Sequence, residues 1–373
     1  MSAGRTRVQL LAAATAAALV LTACDHSTPF EPPDSGRSGP LVGGDPARLT
    51  YGGTAHAPSW TPDGETLLFS FVDGARDDAD RCVGQLPRAG GTIIRTICHS
   101  GALTTDSLDQ LTLPALSGAG ELAFVRASRR LGSIVDRERL LLVAAWDDPS
   151  ATRVLRGIPF TSGGTLRSSI ASLGWIDGER LAFIANAEFI ALPCPLCDPI
   201  VVESGRDIIV LDPATAPAFT VVPVPGNPTS VSGSGADLYY TLAGDSRLYR
   251  GSVGGAASVV HDFAELGVVR GVHVAGNRLV AVVGGGVETY ETDEGIAQRD
   301  EGGQLWIMDL PAGTPTPIVS LTHLFREPRL SPDGGAIIAT GVPFDEVVIY
   351  EGLEPVGIVL VVDGPPDLWR FGE

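Results

Sequence analysis

The sequence predicts an all-β fold made of six repeated four-stranded units, and three observations support this prediction. A short pattern recurs six times: an apolar residue, a tight turn that contains glycine, and an alternating apolar run. Its clearest copies are PSWTPDGETLLF at residues 58–69 and PRLSPDGGAIIA at residues 328–339. The chain contains 28 prolines and 46 glycines, and beyond its first residues no stretch has the period of an amphipathic helix. Repeats of this length and regularity indicate a β-propeller, a ring of β-sheet blades.

The spacing of the repeats predicts the number of blades. Weaker copies of the pattern lie at 114–124, 172–183, 229–240 and 270–281. A minimal four-stranded blade needs about 40 residues. The successive turn glycines are 56, 58, 57, 41 and 58 residues apart, so we expect six blades, most of which carry inserts. These glycines are Gly64, Gly120, Gly178, Gly235, Gly276 and Gly334.

Each copy of the pattern is predicted to form the hairpin between the first two strands of a blade. In the first copy the inner strand ends at Trp60, Pro-Asp-Gly turns the chain, and residues 67–69 begin the return strand. Proline presets the turn dihedral, Asp63 can bond the backbone of its own turn, and Gly64 accepts a positive φ. The same turn is expected around Asp333 in the last copy.

Two segments at opposite ends of the repeat region predict how the ring closes. Most repeats continue with two further strands, such as 303–310 and 315–321. The strand at 367–371 (DLWRF) has no downstream partner, and the strand at 46–50 (PARLT), within the segment 46–51, has no upstream partner. We expect these two to pair antiparallel in the blade that also holds 327–341. Such closure, called a velcro, removes sheet edges that would otherwise invite aggregation.

The first and last copies of the pattern carry a family resemblance. PSWTPDGETLLF and PRLSPDGGAIIA resemble the repeat that begins each blade of the TolB-type (WD40-like) propellers. The resemblance covers about residues 46–373 and implies a six-bladed propeller with a velcro. TolB itself has an N-terminal α/β domain before its propeller, and the same repeat caps prolyl oligopeptidase-like hydrolases. Because the repeats here begin at about residue 46, we expect neither that domain, nor the TolB role, nor a hydrolase domain.

The N-terminus predicts a signal peptide over residues 1–23. Arg5 and Arg7 form a positive n-region, and residues 8–20 (VQLLAAATAAALV) form a short apolar h-region. This length and these flanks are typical of a signal peptide rather than of a membrane span.

The end of this leader predicts a lipid anchor. The sequence LTAC, which ends at Cys24, resembles the bacterial lipobox, and this resemblance implies cleavage before Cys24 and acylation of its thiol. Two or three acyl chains, at about 0.8 kcal/mol per buried methylene, would hold the protein on a membrane. Residues 24–45 are rich in Pro, Gly, Ser and Asp and predict a flexible tether. We expect a lipoprotein on the extracytoplasmic side of a bacterial envelope; the alternative is an ordinary secretory leader with a coincidental cysteine.

The charge of the chain limits its partners. Acidic residues number 44 and basic residues 26, which gives a net charge of −18, and every basic residue is arginine. A surface this acidic argues against nucleic acid and against anionic lipid as partners. Without lysine the chain has no P-loop and no Schiff-base nucleophile. We expect a monomer that reaches the membrane only through its lipid anchor.

The four cysteines that follow Cys24 predict two disulfides. Cys82 and Cys98 lie at mirrored positions about a hairpin turn, so they fall on facing strands. A closed loop of this size is worth roughly 3 kcal/mol on the chain-entropy model. Cys194 and Cys197 form CPLC, which we expect to staple a loop; a redox dithiol and half of a zinc site are the alternatives.

The sequence contains no recognisable catalytic or cofactor motif. It lacks G-x-S-x-G, H-E-x-x-H, G-x-G-x-x-G and an EF-hand loop, so no catalytic, cofactor-binding or metal-binding residue is predicted. The acidic runs at 77–80 and 288–294 have oxygen ligands for calcium, although solvated loop charge is the favoured interpretation. The six histidines are never paired at ligand spacing; they lie at 26, 56, 99, 261, 273 and 323.

Long inserts predict the binding face. They link the second and third strands of their blades, and such loops on a rigid scaffold are where binding is usually found. The inserts are 127–137, 186–205, 284–302 and 342–366.

Two functions remain open on the sequence alone. The first is a binding or scaffold lipoprotein that holds an envelope protein or a peptide. The second is a propeller enzyme, such as a lyase or a lactonase-type hydrolase, with a metal at the central channel. The predicted innermost strands offer only Arg270, His273, Glu327 and Arg329 near the axis. Because this set is thin for a metal site, the binding function is favoured.

Overall fold

The computed structural model describes thirteen stretches of the larger of two compact units, which spans Arg37–Glu373. They are 46–72, 81–98, 107–130, 136–158, 166–191, 200–216, 218–284, 287–292, 295–300, 302–318, 323–351, 354–362 and 366–372. The leader, Cys24, the tether, the acidic run 77–80 and the pair Cys194 and Cys197 lie outside the described residues, so those predictions are untested. Among the described residues, no helix is long and apolar enough to cross a membrane.

The described part of the chain is built from strands, with one 3-10 turn at Pro213–Thr215. The strands up to that turn are β1 (Ala47–Arg48), β2 (His56–Trp60), β3 (Thr66–Val72), β4 (Arg81–Pro87), β5 (Arg95–Ile97), β6 (Ser107–Leu116), β7 (Glu121–Arg130), β8 (Asp136–Ala145), β9 (Asp148–Ile158), β10 (Leu166–Trp175), β11 (Leu181–Ala191) and β12 (Ile200–Leu211). Those after it are β13 (Phe219–Val222), β14 (Pro228–Ser234), β15 (Asp237–Leu242), β16 (Arg247–Ser252), β17 (Ser258–Asp262), β18 (Val269–Ala275), β19 (Arg278–Val283), β20 (Val287–Thr292), β21 (Gly295–Asp300), β22 (Gln304–Asp309), β23 (Thr316–Ile318), β24 (His323–Leu330), β25 (Ala336–Glu351), β26 (Glu354–Val362) and β27 (Asp367–Gly372).

The strands form antiparallel four-stranded ladders in chain order, which is the construction of a propeller. Among the described residues, four such ladders are separate sheets. They are β10-β11-β12-β13, β14-β15-β16-β17, β18-β19-β22-β23, and β24-β25-β27-β1, the last of which also has β26 beside β25. The chain is therefore an all-β propeller with antiparallel four-stranded blades.

The first two repeats depart from the prediction of six separate sheets. Strands β2 to β9 lie in one eight-stranded sheet, in which a single parallel pair, Arg81 with Gln110, connects β4 to β6. The cause is the short outer strand β5, which pairs only with Val83–Gln85. Arg81, at the start of β4, lies beyond β5 and meets the inner strand of the next repeat. The structure thus shows four separate blade sheets rather than six.

The hairpin turns have the predicted conformation. All six turn glycines have positive φ, for example +72° at Gly64 and +69° at Gly334. Asp63 Oδ1 accepts a hydrogen bond from the Glu65 N–H at 3.0 Å, and Asp333 Oδ1 accepts one from the Gly335 N–H at 2.8 Å. These bonds explain why the Pro-Asp-Gly turns are the most recognisable part of the repeat.

The predicted pairing of the two chain ends is confirmed. β1 runs antiparallel to β27, with Ala47 opposite Arg370 and Arg48 opposite Trp369. The Leu49 N–H extends the pairing to the Leu368 carbonyl at 2.7 Å. Trp369 is buried between sheets, as expected.

Among the described residues, six hydrophobic clusters lie between successive repeats. Adjacent residues of one strand face opposite neighbours: Leu67 and Phe69 of β3 pack toward the last repeat, and Leu68 packs toward the second. One cluster joins the two ends of the chain, because it contains Leu49 and Trp60 together with Leu368. The alternation of a β-strand thus gives each repeat two apolar faces, both of them buried.

The predicted disulfide between Cys82 and Cys98 is confirmed. It joins the facing strands β4 and β5, on which Val83 is the partner of Ile97. The position of the inserts is confirmed as well, since each lies between the second and third strands of its repeat. In the fifth repeat the insert contains the two-stranded sheet β20-β21.

Candidate functional site

The inner, first strand of every repeat is interrupted by a bulge; these strands are β2, β6, β10, β14, β18 and β24. The register of each inner strand against the second strand of its repeat shifts near its middle or its start. A bulge bends a strand and re-aims the side chain of the extra residue. The residues within the six shifts include Ala57, Leu113, Ser172, Thr229, Arg270 and Glu327.

Four of these bulge residues have a strained backbone. Ala57, Leu113, Ser172 and Glu327 have φ between +50° and +61°, and they are the only described residues other than glycine with positive φ. This region costs a residue with a Cβ atom roughly 1–2 kcal/mol. Strain of this kind clusters at binding and catalytic sites, where the surrounding structure holds it in place. The bulges therefore mark the candidate site.

The bulge residues meet in one cavity where the inner strands converge. This upper axial cavity has a volume of about 360 Å³ and is lined by residues of β6, β10, β14, β18 and β24. Among them are five of the six bulge residues, Leu113, Ser172, Thr229, Arg270 and Glu327.

A second, smaller cavity lies further along the same axis. This lower axial cavity measures about 120 Å³ and contains residues of all six inner strands, with Trp60, Trp175 and His273 in its wall. Arg329 lines both cavities, so its side chain stands between them.

Hydrogen bonds between neighbouring repeats fix the wall of the upper axial cavity. Glu327 Oε2 accepts from the Ala57 N–H at 2.6 Å and from Thr340 Oγ1 at 2.8 Å. Ser172 Oγ donates to the Val231 carbonyl at 3.0 Å and accepts from the Val231 N–H at 3.3 Å. Three of the four strained residues, Ala57, Ser172 and Glu327, thus donate or accept bonds that cross from one repeat to the next, which explains how their conformation is retained.

Three guanidinium groups face the upper axial cavity. Arg270 Nε donates to the Gly284 carbonyl at 2.7 Å. Arg326 lies one position before Glu327 and also lines the wall. Burial lowers the pKa of Arg329, and the charge of Glu327 acts in the opposite direction. Because an arginine side chain keeps its proton in proteins, the cavity carries positive charge in a chain whose net charge is −18.

His273 is held as a neutral ring in the lower axial cavity. Burial lowers its pKa well below the usual range, and the nearby Arg329 acts in the same direction. The Leu330 N–H donates to His273 Nδ1 at 3.0 Å, so Nδ1 is the acceptor and the ring proton lies on Nε2. His273 therefore offers a neutral N–H donor deep in the molecule.

A side cavity adjoins the upper one between the first three repeats. Its volume is about 300 Å³, and it shares Thr112 and Ile170 with the upper axial cavity. Its polar lining includes His56, Arg81 and Arg139. Arg81 Nη1 lies 2.9 Å from His56 Nε2. Burial lowers the pKa of His56, Glu327 opposes this shift, and Arg81 adds to it.

The structure places the residues that the sequence singled out, but in two groups. Arg270, Glu327 and Arg329 line the upper axial cavity, and His273 lies in the lower one. The described residues contain no group of three His, Cys, Asp or Glu side chains that could hold a metal ion. The described part of the chain therefore offers no site of the kind that a metal at the channel would need.

Sequence reasoning missed Arg326, the side cavity and the bulges. The structure shows that the bulges recur at a regular place, because each bulge residue precedes the turn glycine of its repeat by six or seven positions, as Ala57 precedes Gly64 and Ser172 precedes Gly178; no residue type at that place marks a bulge in the sequence. The side cavity left no signal in the sequence either, since His56 and Arg81 come from separate strands of the first repeat and Arg139 comes from the second.

Comparison with known proteins adds structural similarities only. The sequence matches no protein-family model and no curated protein. Similar solved structures include a gluconolactonase from Xanthomonas campestris, with 14% identity over 90% of this chain and 98% of that one at a TM-score of 0.49. A luciferin-regenerating enzyme has 13% identity over 86% of this chain and 91% of its own, with a TM-score of 0.48. TolB from Acinetobacter baumannii has 14% identity over 84% of this chain and 66% of its own, with a TM-score of 0.46. These scores carry no argument of their own, so the propeller rests on the sheets of this chain.

Proposed function

We propose that the chain forms a six-bladed ring closed by its N-terminal strand. The ladders β2-β3-β4-β5 and β6-β7-β8-β9 each have four strands, and only one parallel residue pair joins them. Six apolar clusters separate successive repeats, and one of them joins the first repeat to the last. The small lower axial cavity touches all six inner strands. These observations support six blades around one axis, with β1 as the outermost strand of the last blade.

We propose that this ring is an extracytoplasmic lipoprotein anchored through Cys24. The leader that ends in LTAC and the tether at 24–45 support the anchor. The disulfide between Cys82 and Cys98 supports an oxidising compartment, since such bonds are rare in the cytosol. The periplasmic or outer-membrane face of a bacterial envelope fits both observations.

We propose that the protein is a binding module that holds an envelope protein or a peptide at the upper axial cavity. The observation that carries this proposal is the convergence of strained bulge residues on that cavity. Its volume of about 360 Å³ lies in the range of ligand pockets, and hydrogen bonds between neighbouring repeats hold its wall. A metal-dependent propeller enzyme is less well supported, because the described residues lack a metal-ligand cluster.

The test is capture of envelope proteins by chains whose cavity is filled or left open. In Thr229→Phe a bulge residue of β14 becomes a large ring inside the upper axial cavity. The matched control, Val259→Phe, makes a similar change on the exposed outer strand β17 of the same repeat. We expect wild type and Val259→Phe to retain the same cross-linked proteins and Thr229→Phe to lose them. Identical capture by all three chains, each with an unchanged circular dichroism spectrum, would refute binding at this cavity.

A further inference from the structure

Two arginines of the upper axial cavity, Arg326 and Arg329, form no ion pair with any carboxylate among the described residues. Arg270, Arg326 and Arg329 line the cavity, and Glu327 is the only carboxylate residue in its described lining. Glu327 Oε2 is already engaged by Ala57 and Thr340. The described part of the chain forms no ion pair between Glu327 and Arg326 or Arg329.

Arg326 has hydrogen-bond donors that nothing in the described protein satisfies. Its Nε and Nη2 atoms are buried, and neither has a hydrogen-bond partner. An unsatisfied buried donor costs about 1–3 kcal/mol, and more when the group is charged. Native proteins rarely retain such a cost unless a water, an ion or a ligand completes the bond.

Arg329, which lies on the axis, is a second buried arginine with few hydrogen bonds. It lies between the two cavities, and its one side-chain hydrogen bond within the described residues goes to the Pro328 carbonyl at 3.0 Å. A buried cation is normally paired with an anion. The neutral His273, whose Nε2 proton is available, lies in the lower cavity beside Arg329 and adds a donor without a competing negative charge.

We propose that the ligand group entering the upper axial cavity is an oxyanion, a carboxylate or a phosphate, bound by Arg326 and Arg329. A guanidinium offers two parallel N–H donors that match the oxygens of either group. This inference rests on the proposed binding function and adds the chemistry of the bound group. The oxyanion would supply the acceptors that Arg326 lacks and a direct ion-pair partner for Arg329, which Glu327 influences only through its charge.

Calorimetric titration of the mature chain tests the inference with three probes. The first is acetyl-glycyl-glycine, which has a carboxylate; the second is its neutral C-terminal amide; the third is inorganic phosphate. We expect the acid or phosphate to bind and the amide to fail. Binding of the acid identifies a carboxylate ligand, and binding of phosphate alone identifies a phosphate-bearing one. No binding of either oxyanion, or equal binding of acid and amide, overturns the inference.

Three variants identify the arginines responsible. Arg326→Gln and Arg329→Gln should each weaken oxyanion affinity at least tenfold. Arg250→Gln, which removes an exposed arginine on β16, is the matched control and should bind as wild type does. If Arg329→Gln fails to fold, the oxyanion affinity of Arg326→Gln still tests the inference. Unchanged affinity in a folded variant would show that its arginine does not bind the oxyanion. If oxyanions do not bind but envelope capture still depends on Thr229, the oxyanion inference fails and the binding function stands.

Discussion

Individual side chains, rather than backbone bonds alone, tie the N-terminal strand to the last repeat. Asp367 is buried and accepts hydrogen bonds from Thr50 Oγ1 at 2.8 Å and from the Gly53 N–H at 3.2 Å. Arg48 completes the set as an ion pair with the same carboxylate. Thr50 Oγ1 in turn accepts from the Leu368 N–H at 2.9 Å. The carboxylate of Asp367 therefore binds three groups of the N-terminal segment, from Arg48, Thr50 and Gly53.

Replacing this carboxylate should destabilise the fold. We expect Asp367→Ala to lower the free energy of unfolding by about 2 kcal/mol, because the charged group of Arg48 loses its partner and two further donors lose their acceptor. Asp309→Ala is the control, since Asp309 is largely exposed and pairs with Arg278 at the surface; it should change stability by less than about 1 kcal/mol. Urea denaturation measures both variants. Equal losses would show that Asp367 has no special role.

Burial of His323 should make stability depend on pH. Burial lowers the pKa of His323 to about 4, with Arg48 acting in the same direction and Asp367 opposing it. The unfolded chain binds this proton near pH 6.5, so the unfolded state holds more protons than the folded state between about pH 6.5 and 4. Stability contributed by His323 is present above this window and is lost as the pH falls through it, by up to about 1.4 kcal/mol per pH unit.

The measurement is urea denaturation of wild type and His323→Gln between pH 7 and pH 4.5. The variant should lose less stability than wild type as the pH falls. His261→Gln, on the outermost strand β17, is the control and should follow wild type. A variant whose stability falls as steeply as that of wild type would contradict the role of His323.

Strand by strand, the inner hairpins were predictable and the bulges were not. The turns follow from local chemistry, because Asp63 and Gly64 determine the turn whatever lies around it. A bulge depends instead on what the strand meets across the axis. Ala57 is held at φ +50° by a hydrogen bond to Glu327, which lies 270 positions away in the sequence. No local pattern of residues encodes such a contact.

Because the bulges are strained, replacing alanine by glycine should affect stability differently at a bulge and in a regular strand. We expect Ala57→Gly to leave stability unchanged or to raise it by up to about 1 kcal/mol, because glycine accepts positive φ without steric cost. Ala123→Gly is the matched control: Ala123 is also buried but lies in the regular part of β7. There the same change should cost about 1 kcal/mol or more. Equal losses in the two variants, measured by urea denaturation, would show that the bulge is not strained.

At the scale of the whole molecule, the repeat period predicted the architecture but not every sheet boundary. Six glycine turns at regular spacing reveal six units, because each unit must bury its two apolar faces against neighbours. The fusion of the first two repeats into one sheet depends on β5 having only three residues, a detail of pairing that the period does not contain. The residues that line the axial cavities were predicted only in part. Arg326 was not predicted, since its burial without hydrogen-bond partners is evident only in the structure and no motif marks it.

The lipid anchor is the prediction that determines where the molecule works. We expect wild type to incorporate labelled palmitate and to remain in the membrane fraction until detergent is added, because acyl chains on Cys24 would hold it there. Cys24→Ser removes the acceptor thiol and should be unlabelled and released from the membrane. Label retained in Cys24→Ser, or wild type that is wholly soluble without detergent, would contradict the anchor.

The central claim is that the segment 46–51 closes a ring whose axis holds the binding cavity. This segment supplies the two residues of β1, buries Leu49 in the cluster between the first and last repeats, and gives Asp367 its partners. The direct test compares thermal melting of a chain that starts at Asp45 with one that starts at Gly52. We predict a melting temperature lower by at least about 5 °C for the shorter chain, since burial, ion pair and strand pairing are lost together. Equal melting temperatures would mean that the ends do not close the ring, and the account of six blades around one axis would be wrong.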